Sequence, residues 1–502
     1  VTLRVTLWLA LLAGGGCATV VAPPWPEATF EVPAQWSAAE ASAPGTAGSL
    51  SRWWLRFDEP LLDRLVSRAL AAHSSIQSAR AALQQSRAAR DVVAAGLAPT
   101  VSGSTSVQRS RAGDNGTGNS FRLGLDAAWE PDVFGATRHG LDAADALVRS
   151  SAASLGDVQV SVAAEVGLAY LALRGAQARL AIAEANLASQ LDTLQITRWR
   201  LQAGLVDALD AEQANASAEQ TRAQLPALQT QIAQTGHALA VLTGQPPAAL
   251  DRELAIDPTA AMALPRAADP LPLGIPADTL RQRPDVRAAE DQVRAAMARV
   301  SQADAARRPS FRLGGSIGLS ALTLGALTDS AALVASLLAS AAVPIVDGGA
   351  GLAQVRAQRA ALDQAAAAWQ AAVLTALQEV EDALAALRGG RERLLRLQRA
   401  ADSATSAASL ARQRYDSGLA DFQVVLDTQR TQLGAQDSMA GARADLGAAQ
   451  VRLFKALGGG WREADADASS APARINRPHA ASPSTGAMAS AFSHGAPQGA
   501  PR

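Results

Sequence analysis

Cysteine is nearly absent. Cys17 is the single one in 502 residues, which excludes an internal disulfide and a cysteine-clustered metal site. The five histidines (His73, His139, His237, His479 and His494) are scattered, two of them near the C-terminus, so no histidine cluster offers a metal either. An excess of charge is missing too. Lys plus Arg number 45 against 46 Asp plus Glu, so no global basic field invites nucleic acid. Aromatic residues make up only 4% of the chain, which suits long helices better than an aromatic-rich core. Beyond the first dozen residues no apolar run has the length and purity of a transmembrane helix. No nucleophile–base pair, metal cluster or phosphate loop stands out, so neither an enzyme nor a cofactor is expected.

What is present begins with VTLRVTLWLALLAGGGCA. Arg4 supplies a positive n-region, Val5 to Leu12 an apolar core, and small residues lead to Cys17. Residues 1–16 therefore predict a secretory signal. Cys17 is the expected lipidation site of a bacterial lipobox, although Gly14 departs from the usual Leu-like residue and ordinary cleavage nearby stays open. Residues 17–50, rich in Pro, Ala and Ser, predict a lipid-anchored linker, and residues 461–502 a disordered tail.

Between them the chain is written twice. Pro99 falls on Pro309 at an offset of 210, Pro131 on Pro344 at 213, and Leu173-Arg174-Gly175 on Leu387-Arg388-Gly389 at 214. Gly204-Leu205 falls on Gly418-Leu419, again at 214. A fixed long period sets the architecture before any motif is read. The repeats are assigned to 51–243 and 276–460, joined by a Pro-rich segment at 244–275.

Each copy has the same parts. Leu61, Leu62, Leu65, Val66, Ala69 and Leu70 predict a helix from Pro60 to about Leu97. Period two follows. Phe121, Leu123, Leu125, Ala127 and Trp129 share one strand face, and Arg122, Gly124, Asp126, Ala128 and Glu130 the other. Val101, Gly103, Thr105 and Val107 alternate more weakly before them. Phe311, Leu313, Gly315, Ile317 and Leu319 repeat the apolar face in the second copy, and a blurrier strand is expected from about Leu333 to Ile345. Long proline-free helices come next, about 138–202 and 352–417, each able to reach about 100 Å. Gly204-Leu205 and Gly418-Leu419 end them, and return helices run about 208–243 and 422–457, with a kink expected at Pro226.

Apolar–polar alternation over about ten residues is the mark of a membrane β-barrel strand. Four strands cannot close a barrel, and an open edge has no hydrogen-bonding partner in lipid. Two chains would give eight strands filled by side chains; three give twelve and an open lumen. Polar inner-face residues favour the trimer. The expected fold is thus a mixed α+β membrane protein: a trimeric twelve-stranded β-barrel, four strands per chain, continuous with a twelve-helix periplasmic α-barrel.

At Arg281 to Glu290 (RQRPDVRAAE) the residues resemble the RRPDV-x-x-AE signature of outer-membrane efflux lipoproteins of the NodT type, within the TolC-like outer membrane factors. WLRFDEPLLDRL (54–65), WEPDVFG (129–135) and RYDSGLADFQVVLDTQ (414–429) are similar to the family as well. The resemblance covers roughly residues 50–460 and implies a passive exit duct of a tripartite efflux system. The implied partners are two further copies of the chain, outer-membrane lipid, a periplasmic adaptor and an inner-membrane RND-type pump. It also implies a periplasmic gate at Asp427, with Asp210 and Tyr415 as an interhelix hydrogen-bonded pair. Val424 stands where a second acidic ring residue is frequent, and Ala420 where some members place a locking arginine. Gly204 and Gly418 should allow tight tips, with Leu205 and Leu419 beside them either docking knobs or packed against their own hairpins. The competing expectation is a lipid-anchored periplasmic coiled-coil scaffold or adaptor without a pore.

Overall fold

The computed structural model describes residues 23–26, 30–36, 50–111, 117–255, 265 and 276–461. Cys17, the signal, most of the linker, most of the 256–275 connection and the tail from 462 lie outside the described residues.

After a 3-10 turn at Trp53–Phe57, helix α1 (Pro60–Ala72) leads to α2 (Ser74–Ala95), β1 (Thr100–Arg111) and β2 (Thr117–Trp129). The long helix α3 (Ala136–Gln202) descends to the first tip, and α4 (Ala208–Arg222) with α5 (Gln224–Leu242) returns. A short helix α6 (Asp251–Leu254) follows. The second copy gives α7 (Pro276–Gln282), α8 (Pro284–Ala305), β3 (Ser310–Ala321), β4 (Leu333–Ala342), α9 (Ala350–Asp416) and α10 (Phe422–Ala456). Both descending helices have 67 residues, so each spans about 100 Å.

Three expectations need correction. The helix expected from Pro60 to Leu97 is broken at His73, which is extended (φ −62°, ψ 133°) and whose Nδ1 accepts from the Ser75 N–H, capping a new helix. The same break recurs 210 residues later at Arg283 (φ −72°, ψ 125°), where Pro284 announces it; the first copy has no proline there to do so. The irregularity in the first return helix falls at Ala223 rather than at Pro226, because the proline lacks the N–H that would bond one turn back to Arg222. The last strand stops at Ala342, short of Ile345, ahead of Pro344. In addition, a stretch of α3 matches a membrane span by length and composition, but more than half of it is buried against the chain's own helices. That stretch is a packing face.

The four strands form one antiparallel sheet in the order β1-β2-β3-β4, so the two copies join edge to edge between β2 and β3. Each strand pair then bends straight into a long helix through a glycine in the left-handed region, Gly135 (φ 82°) and Gly349 (φ 86°). A carboxylate caps each start. Asp132 accepts from the Thr137 and Arg138 N–H groups, and Asp347 from those of Gly349 and Gly351. Partial burial pushes the Asp132 carboxyl up, but the two N–H donors and Arg138 outweigh it and hold it below the usual range.

The main core sits at the waist. Trp53 stacks on Phe454 (centroids 5.4 Å apart, 12° between planes) and is fully buried with Leu62, Leu65, Tyr170 and Leu173. Gly167 makes this possible, since a Cβ there would lie 2.7 Å from the Trp53 ring. The RQRPDV stretch has a structural part beside this core. The buried Arg283 guanidinium pairs with Asp285 at 2.6 Å and Glu379 at 2.7 Å and donates to the Ala456 carbonyl at 2.9 Å. One side chain thereby ties the start of α8 to the middle of α9 and the end of α10. Asp157 lines the same cavity of about 200 Å³, and burial, then the Asp285 charge, raise its carboxyl above the usual value.

Candidate functional site at the hairpin tips

Both tips are built alike. At the first, the Gly204 N–H donates to the Leu201 carbonyl at 3.0 Å and the Leu205 N–H to Arg200 at 2.8 Å, with Gly204 at φ 71°. At the second, Gly418 (φ 74°) donates to Tyr415 at 3.0 Å and Leu419 to Arg414 at 2.7 Å. This pair of backward bonds ends a helix only where the turning residue tolerates positive φ, hence glycine. Leu205 and Leu419 are left 73% and 71% exposed, and Trp199 and Leu209 beside them are exposed as well. The two leucines therefore project from the tips instead of packing against their own hairpins.

The tips rest on a small core of Leu194, Ala214, Ala411, Tyr415, Phe422, Val425 and Leu426. Tyr415 packs against Phe422 at 5.4 Å, and the Arg200 guanidinium lies over its ring, 4.3 Å from the centre. Arg200 also reaches Asp416 at 3.8 Å. The Tyr415 hydroxyl is buried and makes no hydrogen bond among the described residues, so the expected Asp210–Tyr415 bond is not formed within this chain. Asp210 instead gives its backbone N–H to the Asp207 carboxylate, which caps α4 at 3.1 Å. Slight burial, then the Asp207 and Asp421 charges, raise the Asp210 carboxyl. Asp427 is exposed on α10, one turn after the 45% exposed Val424, and only loosely paired with Arg430 at 3.8 Å.

Residues not singled out in the sequence hold the two hairpins together. On α3, positions 179, 186, 193 and 200 recur every seven residues and face the second hairpin. Arg179 forks onto Asp437 at 2.6 and 3.0 Å, Asn186 donates to Gln436 at 2.8 Å, and Thr193 accepts from Gln429 at 3.0 Å. Arg200 over Tyr415 closes the series, and Gln423 donates to Gln213 across the tip. A seven-residue repeat of polar side chains inside an apolar seam was the available signal.

At the other end the four strands present two chemically different faces. Directly paired residues share a face. Val101, Thr105, Val107, Leu123, Leu125, Leu313, Ile317 and Leu319 therefore lie together on one side. Ser102, Ser104, Ser106, Arg122, Asp126, Arg312, Ser316 and Ser336 lie on the other. Ser104 donates to Asp126 at 2.7 Å and Arg312 approaches Glu130 at 3.9 Å, while Arg122 faces only Ser106 and Ser320 across its two pairings.

The model of the family described as outer membrane efflux protein matches residues 65–245 and again 275–459, so the two matches repeat the internal spacing. The chain is 31% identical over 465 residues to the solvent efflux pump outer membrane protein SrpC of Pseudomonas putida, covering 90% of this chain and 97% of that one. It is 30% identical to nodulation protein T of Rhizobium leguminosarum bv. viciae, covering 82% and 85%. Among solved structures, the outer-membrane channel OprN superposes with a TM-score of 0.81 at 35% identity, over 88% of this chain and 99% of that one. The open state of the MtrE channel of Neisseria gonorrhoeae superposes at 0.79 and 26% identity, over 88% and 98%. A two-sided sheet continuous with two long hairpins, in a chain that matches the family model twice, belongs to the outer membrane efflux protein family.

Proposed function

We propose that this outer-membrane efflux channel is the passive exit duct for an RND-type inner-membrane pump, met through a periplasmic adaptor at the hairpin tips, and that Cys17 anchors it by an acyl chain. The observation that supports the duct most directly is the continuity of its parts. A sheet with one apolar and one polar face runs without a break into helices long enough to cross the periplasm. Both outer edges of the sheet are unpaired, and three copies satisfy them while enclosing a wet lumen. The duct does no chemistry; it passes what the pump delivers.

Asp427, Asp210 and Tyr415 are assigned to the closed periplasmic end. Asp427 and Val424 share an exposed strip of α10, and three such strips facing one axis would set carboxylates against one another. Leu205 and Leu419, exposed at the outermost turns, suit an adaptor with apolar sockets. Purified protein added to planar bilayers should give discrete ion-conducting steps from a trimer, and deletion of the gene should sensitise cells to toxicants that the cognate pump exports. A delipidated protein that stays soluble, monomeric and non-conducting would support the pore-less scaffold instead.

A further inference from the structure

The outward face of the barrel carries a feature that conduction does not require. On β1 the odd-numbered residues lie with the apolar side chains, and after Val101, Thr105 and Val107 come Arg109 and Arg111. Both are exposed, their cross-strand neighbours are the uncharged Asn119 and Thr117, and neither forms an ion pair among the described residues. An arginine directed toward the acyl chains of a bilayer would be costly, so its height decides its meaning.

That height follows from the register. At the periplasmic end Trp129, whose indole N–H donates to the Leu97 carbonyl, and Phe311, stacked with Phe134 at 6.4 Å, form an aromatic girdle. Thr100 pairs with Ala128, so Trp129 lies level with position 99 of the first strand. Arg109 is ten residues farther up, about 34 Å along the strand at about 3.4 Å per residue, or roughly 26 Å of height at a tilt of about 40°. The apolar band of such barrels is about 25 Å tall. Arg109 thus emerges at the outer headgroup level, and Arg111 follows about 7 Å farther along the strand on the same face. Guanidinium groups there meet lipid phosphates, which they can bind through paired N–H bonds.

We infer that Arg109 and Arg111 form a binding site for the phosphates of the outer leaflet's glycolipid, lipopolysaccharide, one site on each protomer of the trimer. The inference rests on the barrel reading, which fixes the outward side. Position on the edge strand adds a function to the contact: β1 borders the next protomer, so a lipid held there bridges the seam between chains. Asp329, in the connection before β4, is the described carboxylate that a neighbouring protomer could offer instead.

The test titrates the purified full-length trimer in detergent with lipopolysaccharide and with the same lipid after enzymatic dephosphorylation, reading bound lipid by native mass spectrometry and trimer dissociation temperature on gels. Wild type should prefer the phosphorylated lipid by about tenfold or more and lose that preference in high salt. Arg109→Ser with Arg111→Ser should abolish the preference, and Arg109→Lys with Arg111→Lys should keep part of it. Equal binding of both lipids, or an unchanged preference in the serine variant, overturns the site. A serine variant whose trimer dissociates in detergent without any lipid shows that the arginines hold the neighbouring chain, which also overturns it. A wild-type chain that forms no membrane-inserted trimer overturns the barrel reading, and the site with it.

Discussion

The Arg200 guanidinium lies 4.3 Å from the centre of the Tyr415 ring, joining the last turns of the two descending helices. This contact uses the face of the ring and leaves the buried hydroxyl without a hydrogen-bond partner among the described residues. Tyr415→Phe should therefore leave the packing of the tip intact or stabilise it by up to about 1 kcal/mol, because a buried hydroxyl without a partner is a cost. Arg200→Ala should loosen it. Single-channel conductance in planar bilayers separates the two, and a leaky Phe variant would show that the hydroxyl finds a partner in the trimer.

Asp427→Ala should raise conductance or cation leak through the resting channel, since it removes one carboxylate per protomer from the proposed closed end. Unchanged conductance and unchanged cation selectivity would remove Asp427 from the gate.

The Asp210 carboxyl is raised by slight burial and by Asp207 and Asp421. A carboxyl raised on folding binds its proton more tightly in the folded tip. Its contribution to stability is therefore present below the ordinary aspartate range and lost as pH rises through the raised value. Acid should steady the tips, and Asp210→Asn should flatten that dependence. Conductance noise measured from about pH 3 to 6 checks both, and an identical profile in the variant would contradict the assignment.

Thr193 and Gln429 are both buried and bonded at 3.0 Å. Thr193→Val would leave the Gln429 amide unmet and should cost about 1–3 kcal/mol. Thr193→Val with Gln429→Leu should recover much of that loss. A double-mutant cycle on thermal unfolding of the trimer measures the coupling, and strict additivity would mean that the pair does not hold the seam.

Arg283→Ala should be a damaging single change, about 1.5–3 kcal/mol, because it removes the cation shared by the partly exposed Asp285 and Glu379 beside an already raised Asp157. Arg283→Lys should recover only part, since the donors of an ammonium sit on one atom and cannot span contacts that Arg283 makes from three nitrogens of a planar fork. Trimer yield and dissociation temperature report the difference.

Local chemistry made much of the fold legible. Gly204 and Gly418 announced the tips because only a residue tolerant of positive φ closes that turn. Alternation announced the strands, and the absence of proline announced the long helices. The break at His73 was hidden because no proline marks it; a side-chain cap makes it, and a histidine cap has no strong sequence signal. The contact at the tips was hidden for a related reason: Arg200 meets the face of the Tyr415 ring across two hairpins, and no local sequence signal marks which residue of the first hairpin lies over that ring.

The sequence by itself determined the duplication, the element order, the two-faced strands and the membership in a duct-forming family, because each of these rests on periodicity or on a residue whose backbone freedom is local. The tertiary structure alone decided which side chains meet: Arg200 with Tyr415, Thr193 with Gln429, and Arg283 with Glu379 and the Ala456 carbonyl. Such pairs depend on the rotation and stagger of helices far apart in the chain. A shift of one residue turns a helix by about 100° and changes every partner on its face.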